Sequence, residues 1–278
     1  MVFLIHKLKI TLIIFAVLAV IALYFIWQNN DLTVSRYAYQ NKNFGSSLDG
    51  YKICQISDLH NKLFGKNQSR LLNLIRRENP DLIVITGDII DDSRTDVAAA
   101  LVLTDGLTDI APVYYVTGNH ELSAALPAHN ALMQGLSRSG VEILDNEVRV
   151  VAYGNDSFYL IGLDDDSRQD GTLAGLVSGL DENKPEILLV HRPETFESYA
   201  ETGVDLVFAG HAHGGQIRLP IVGGLYAPGQ GFFPKYSCGI YTYGSSTMIV
   251  SRGLGNSMPG RINNRPDLVV VTLDTIGT

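Results

Sequence analysis

Five short apolar segments in this chain each run straight into a cluster of polar side chains of metal-ligating type, and any fold has to seat all five. Residues 51–57 lead into Asp58-Leu-His60, residues 81–86 into Gly87-Asp88-Ile-Ile-Asp91, and residues 112–117 into Gly118-Asn119-His120-Glu121. Residues 186–190 lead into His191, and residues 205–209 into Gly210-His211-Ala-His213. Short runs this apolar read as strands buried on both faces. Between the first two, residues 69–78 carry Leu71, Leu72 and Ile75 at helical spacing before Asn79-Pro80 stops the helix. Strand, helix, strand at this spacing predicts parallel strands joined by a right-handed crossover. Residues 96–109 predict a further helix. In an open α/β sheet ligands bind beyond the carboxyl ends of the strands, so the clusters are expected to converge at one edge.

The amino terminus sets a second constraint. Residues 10–27 contain no charge and continue an apolar run that begins at Met1; as a helix this suffices to span a bilayer, for which about 20 residues are needed. Lys7 and Lys9 precede it and Asn29, Asn30 and Asp31 follow. The positive-inside tendency therefore predicts a single pass through the cytoplasmic membrane with the remainder outside, Tyr24 and Trp27 suiting the far interface. A cleaved signal peptide is the competing reading. Against it, the run exceeds the usual ~7–15-residue apolar region and no small-x-small site follows. A buried soluble helix is the other alternative, but the segment is apolar all round rather than amphipathic. The expected organisation is an anchor at 1–28, a linker with an edge strand at 29–50 and a catalytic domain at 51–278.

A hydrophobic share of 46% supplies a sizeable core, while a formal net charge of -8 argues against a nucleic-acid partner, which calls for a Lys/Arg surplus. Cys54 and Cys238 form neither a metal-ligand spacing nor a disulfide framework. Of the seven histidines, His60, His120, His191, His211 and His213 lie in the clusters; His6 and His129 have no such context. One cluster alone would say little, because an Asp-x-His after a strand is more often a helix cap beside a surface histidine. Their joint occurrence decides. Carboxylate, carboxamide and imidazole donors suit two divalent ions of the Mn, Fe or Zn type better than Ca, and the lack of cysteine ligands argues against a closed structural zinc. Two such ions ~3.5–4 Å apart clamp the attacking and leaving oxygens of an in-line displacement, which requires a bridging carboxylate.

The set Asp-x-His, Gly-Asp-x-x-Asp, Gly-Asn-His-Glu, His and Gly-His-x-His resembles the calcineurin-like metallophosphoesterase superfamily over residues 51–273. Residues 210–220 and 251–256 are similar to its membrane-linked bacterial branch of phosphodiesterase-like proteins. The resemblance implies an α/β fold, a four-layer αββα sandwich of two mixed sheets. It implies that Asp58, His60 and His213 hold one metal, that Asn119, His191 and His211 hold the other, and that Asp88 bridges them. It makes His120 the acid that protonates the leaving group and Asp91 the residue that orients it, with a helix N-cap as the alternative for Asp91. Glu121 is expected to support the site rather than react.

In the protein-phosphatase branch an Arg follows the second Asp; here Asp92 stands there. Losing that cation favours diesters or pyrophosphates over doubly charged monoesters, unless Arg192, Arg252 or Arg261 substitutes. The expected activity is hydrolysis of a phosphodiester or pyrophosphate, lipid-linked or envelope-derived. A nucleotide phosphomonoesterase is the rival enzyme, and a non-catalytic metal-binding envelope protein the rival from another class. Residues 223–244 mix glycine with Tyr226, Phe232, Phe233, Tyr236, Tyr241 and Tyr243, either as a substrate-facing flap or as loops packing their aromatics on a sheet edge. Residues 256–265 read as a loop carrying solvated arginines. Strand order and oligomeric state stay open.

Overall fold

A computed structural model of the chain describes residues 2–167, 171–256 and 260–275. The alternation of side chains along the strands sets the layers. In Lys52–Ile56, Ile53 packs into one core while Cys54 and Ile56 pack into another. Leu82–Thr86 repeats the pattern, with Leu82 and Val84 on one side and Ile83 and Ile85 on the other. Successive strand residues face opposite sides, so a sheet apolar on both faces has to be covered twice.

One face of this first sheet is covered by the helices Ser69–Glu78, Val97–Thr108 and Leu126–Arg138 through Leu71, Ile75, Leu103, Leu107, Leu132 and Leu136. The other meets a second sheet, whose Leu160, Ile187, Leu189 and Phe208 share a core with Ile53, Val84 and Val269. The far face of the second sheet is covered by Thr172–Val177 and Phe196–Ala200 through Leu173, Phe196 and Tyr199. The result is the four-layer αββα sandwich that the resemblance implied.

The first sheet runs in the order Thr33–Asn41, Asp267–Thr275, Lys52–Ile56, Leu82–Thr86, Val113–Val116, Glu142–Ile143. All its pairs are parallel except Asp267–Thr275 with Lys52–Ile56. The second runs Gly239–Tyr243, Ser246–Val250, Leu206–Ala209, Glu186–Leu189, Asp156–Gly162, Glu147–Tyr153, parallel inside and antiparallel at both edges. Local chemistry marks the helix ends: the Asp96 carboxylate accepts from Ala99 N at 3.1 Å, and Asn79 takes the left-handed conformation (φ 51°) just before Pro80.

The amino-terminal helix Val2–Asn30 keeps large apolar side chains from Leu8 to Ile26 exposed, and His6–Asn30 is long and apolar enough to cross a membrane. Its last turns dock on the sandwich. Tyr24 donates to Asn263 Oδ1 at 2.6 Å, Asn264 N to Gln28 Oε1 at 3.2 Å, and Arg261 N to Asn29 Oδ1 at 2.8 Å. Lys62 bonds the Asn29 carbonyl, and Arg265 pairs with Asp31 while lying 5.0 Å from the Trp27 ring centroid. The expectation of solvated arginines in this loop is therefore corrected. Arg261 is fully buried, its guanidinium donating to the carbonyls of Arg252 and Gly255; burial pulls its pKa down to about 10 against the pull of Asp58.

Candidate metal centre

The clusters gather from two sheets rather than from one edge. Lys52–Ile56, Leu82–Thr86 and Val113–Val116 of the first sheet and Glu186–Leu189 and Leu206–Ala209 of the second all end at the same place. The chain leaves the strands through strained turns: Asp58 (φ 52°), His60 (47°), Asp88 (54°), His211 (63°) and His213 (48°) all occupy the left-handed region. Each such non-glycine residue costs roughly 1–3 kcal/mol, a strain that concentrates at functional sites. The loops are knitted backbone to backbone, Asp58 N to Gly87 O and His60 N to Asp88 O at 3.1 Å each. Two glycines permit this approach. A Cβ on Gly87 (φ 81°) would lie 2.6 Å from Gly118 Cα, and one on Gly118 would lie 2.4 Å from Asp88 Oδ1.

Three donor groups result among the described residues; one joins His60 to Asp91 and His120, and the other two contain the expected ligands. Asp58, His60 and His213 present donor atoms within 4.8 Å of one another, with the His60 and His213 Nε2 atoms 3.3 Å apart and His213 Nε2 3.5 Å from Asp58 Oδ1. Asp88, His191 and His211 do the same, with His191 Nε2 3.0 Å from Asp88 Oδ2 and 3.1 Å from His211 Nδ1. Asp88 Oδ2 is also 3.8 Å from His60 Nε2, so this carboxylate faces both groups. Asn119 Oδ1 is a buried acceptor with no hydrogen-bond partner among the described residues, a lack that a cation satisfies.

At three of the imidazoles the electrostatics suit the same purpose. Burial pushes His60 down to about 4 and His211 and His213 well below the usual histidine value, leaving the neutral imidazole that ligates. Burial also pushes Asp58 up to about 6. For Asp88 burial acts upward but is outweighed by His191, His60 and His120, which hold the carboxyl well below its usual range. His191 is the counterpart: burial acts downward, Asp88 prevails, and its pKa rises to about 10. His191 Nδ1 donates to Thr86 O at 2.7 Å, which aims Nε2 into the centre.

Residues 51–215 match the calcineurin-like phosphoesterase family. The chain belongs to that family. It is 29% identical over 236 residues to phosphodiesterase YaeI of Escherichia coli, covering 83% of this chain and 84% of that protein. It is 33% identical over 233 residues to the metallophosphoesterase YkuE of Bacillus subtilis, covering 81% and 80%. A transmembrane protein with metallophosphoesterase domain from Danio rerio is 28% identical over 244 residues, covering 82% of this chain and 54% of that one. The chain is thus a metal-dependent hydrolase of phosphoester bonds, and its residue clusters fit the dinuclear metal centre of a calcineurin-like phosphoesterase.

Around this phosphoesterase centre the supporting residues differ in part from the expected ones. His120 Nδ1 lies 3.1 Å from Asp92 N and 3.0 Å from Asp92 Oδ1, so its hydrogen-bond partner is Asp92 and not Asp91. The Asp91 carboxylate is engaged by Ser93 N and Oγ and by Arg94 N and Nη2, closing a turn rather than capping a helix, whose N-cap is Asp96, and its Oδ2 lies 4.0 Å from His60 Nδ1. Glu121 ties the turns together by accepting from the backbone N–H groups of Asp88 (2.8 Å), Ile90 (3.1 Å) and Gly118 (2.9 Å). Glu121→Ala strands three buried donors at a cost of ~1–3 kcal/mol for each one left unsatisfied. Thermal unfolding of the chelated full-length protein should show that loss, and an unchanged melting temperature would remove Glu121 from this role.

The three candidate arginines separate. Arg192 Nε grips both Asp165 oxygens at 2.7 and 3.0 Å, with Nη1 3.0 Å from His211 Nε2. Arg252 pairs with Asp267 at 2.9 Å, and Arg261 is buried against carbonyls. Asp165 went unnoticed in the sequence, although residues 164–166 are three aspartates just after the strand Asp156–Gly162, the same strand-then-cluster signal. Asn264 was also missed; its side chain donates to His213 O at 2.6 Å and Gln216 O at 3.1 Å.

Proposed function

We propose that this phosphoesterase hydrolyses a phosphodiester or pyrophosphate carried by a membrane lipid. Asp58, His60 and His213 would hold one divalent ion of the Mn, Fe or Zn type and Asn119, His191 and His211 the other, with Asp88 between them. Such ions, when bound, supply a Lewis-acidic clamp and lower the pKa of the attacking water. His120 gives its proton to the departing oxygen from Nε2, while the Asp92 backbone N–H, donating to Nδ1 at 3.1 Å, fixes the ring.

The observation that carries the preference for diesters is the Asp92 carboxylate 3.0 Å from His120 Nδ1, at the place where a monoester-gripping cation would be wanted. Arg192, the cation beside His211, has its guanidinium committed to Asp165. A cavity of about 470 Å³ with Asn29, His60, Lys62 and Arg94 on its wall lies between the centre and the end of the helix, which supports a substrate held at the membrane. The test is a panel on the detergent-solubilised full chain with Mn: bis(4-nitrophenyl) phosphate, 4-nitrophenyl phosphate, a nucleotide pyrophosphate and a lipid-linked pyrophosphate. Diesters or pyrophosphates should lead. A lead for the monoester would favour the nucleotide phosphomonoesterase, and no turnover with any of them the non-catalytic alternative.

Chelation should abolish hydrolysis and added Mn restore it, because a neutral-pH nucleophile needs a Lewis acid here. Full activity after stripping would remove the metal mechanism. The anchor is taken as residues 1–28, retained, with 51–278 as the catalytic domain outside the cytoplasmic membrane and 29–50 joining them. The pairing of Thr33–Asn41 with Asp267–Thr275 supports that join. Protease added to intact, wall-stripped cells should degrade the catalytic domain; protection would reverse the orientation.

A further inference from the structure

Where the helix meets the sandwich, the chain direction carries information about the bilayer. Arg261 N is held by Asn29 Oδ1, and two residues on Asn263 Oδ1 is held by the Tyr24 hydroxyl. At 1.5 Å per residue these holding points are ~7.5 Å apart along the helix axis, so residues 261–263 descend from the polar end of the helix towards its apolar middle. Ile217 bridges Ile262 in parallel, Arg218 N donates to Ile262 O at 2.9 Å, and Asn263 Nδ2 donates to Arg218 O at 3.2 Å. The segment beyond Ile217 therefore descends in the same direction.

What it carries downward is apolar. Residues 219–234 contain no Asp, Glu, Lys or Arg, and Arg218 and Lys235 flank them. Arg218–Leu219 pairs with Gly223–Gly224 across a turn where Ile221 is fully exposed and Val222 exposed. The adjoining hairpin, Tyr226–Ala227 with Gly231–Phe232, leaves Phe232 71% and Phe233 62% exposed. Single exposed apolar side chains are ordinary, but a group of them on adjacent hairpins marks a contact surface. Tyr236 and Tyr241 of the same stretch instead pack together, with Tyr236 also against Phe196, which is the packing reading of residues 223–244 at that end.

We propose that residues 219–233 form a second membrane-contact lobe, immersed in the lipid interface beside the helix. The lobe rests on the reading of His6–Asn30 as a span. It fixes the sandwich in one orientation, with flanking basic residues at headgroup level and apolar tips below. An apolar cleft of about 440 Å³, with Ile217, Leu225, Tyr226, Pro228 and Phe232 on its wall, then opens on the bilayer a few residues from His213.

The experiment uses the full chain in phosphatidylcholine vesicles, with Cys238→Ser and single nitroxide-labelled cysteines at Leu18, Ile221 or Val150; Cys54 is buried and stays unlabelled. Val150 is an exposed residue on the edge strand Glu147–Tyr153 of the second sheet, and the full exposure of Ile221 means that its replacement disturbs no packing. Collision rates with oxygen, enriched in lipid, and with a water-soluble nickel chelate are compared. The oxygen-to-nickel ratio at Ile221 should exceed that at Val150 several-fold, as it should at Leu18. A ratio at Ile221 equal to that at Val150, with Leu18 still lipid-exposed, overturns the lobe while leaving the span. A low ratio at Leu18 overturns the span and the lobe with it.

Discussion

Asp88→Asn should cost more turnover than Asp58→Asn, at least the ~10²–10³-fold that one lost electrostatic contact costs an active site, and should lower metal content as well. Its Oδ2 is 3.0 Å from His191 Nε2, 3.8 Å from His60 Nε2 and 3.9 Å from His120 Nε2, while Oδ1 accepts from His120 N at 2.9 Å. An asparagine keeps one oxygen and turns an N–H₂ towards groups that all want an acceptor or a cation. Asp58 belongs to one ligand group only, so Asp58→Asn should spare the second ion and lose less. Turnover with added Mn and metal content per chain, measured on both variants, decide it. Equal losses with both ions still bound would argue against Asp88 as the bridge.

His120→Ala should separate rate from metal content, keeping both ions while losing ~10²–10⁴-fold in turnover, the usual worth of a positioned proton donor. Its Nε2 points towards the centre from 3.9 Å off Asp88, and the ring is partly exposed, placed at the mouth rather than within either of the proposed ligand groups. The loss should depend on the leaving group. A poor alkoxide needs protonation as the P–O bond breaks, whereas nitrophenolate departs nearly unaided, so activated diesters should suffer less. Asp92→Asn should reproduce the pattern more mildly and add little to His120→Ala, because two residues acting as a unit are not additive. Asp91→Asn should act instead through the turn that it caps, lowering stability before it alters leaving-group dependence. If His120→Ala lost a metal, or slowed activated and unactivated esters alike, His120 would be a ligand or a phosphate-binding group.

How far the chain could be read without its fold follows from which interactions are local. Strand-then-cluster repeats, the helices at Ser69–Glu78 and Val97–Thr108 and the apolar run at the amino terminus are written in neighbouring residues, so periodicity and capping chemistry reveal them. The family could be read for the same reason, since its motifs are short and three of the five set a glycine directly before the ligand-type residues. Which carboxylate meets His120 was not legible. Asp91 and Asp92 are adjacent, and the choice depends on Ser93 and Arg94 drawing the first into a turn and leaving the second opposite the imidazole.

Nor could spacing show that the ligands come from two sheets, or that Arg261 is buried under the end of the helix far away in sequence. Residue type and local spacing were enough to nominate the candidate donors, because donor identity is a local property. Only the tertiary structure decided how they face one another. Those contacts join positions far apart in the chain, and their geometry depends on backbone turns such as the left-handed Asp58, Asp88 and His213, which Asp and His tolerate better than most residues but which local spacing does not specify.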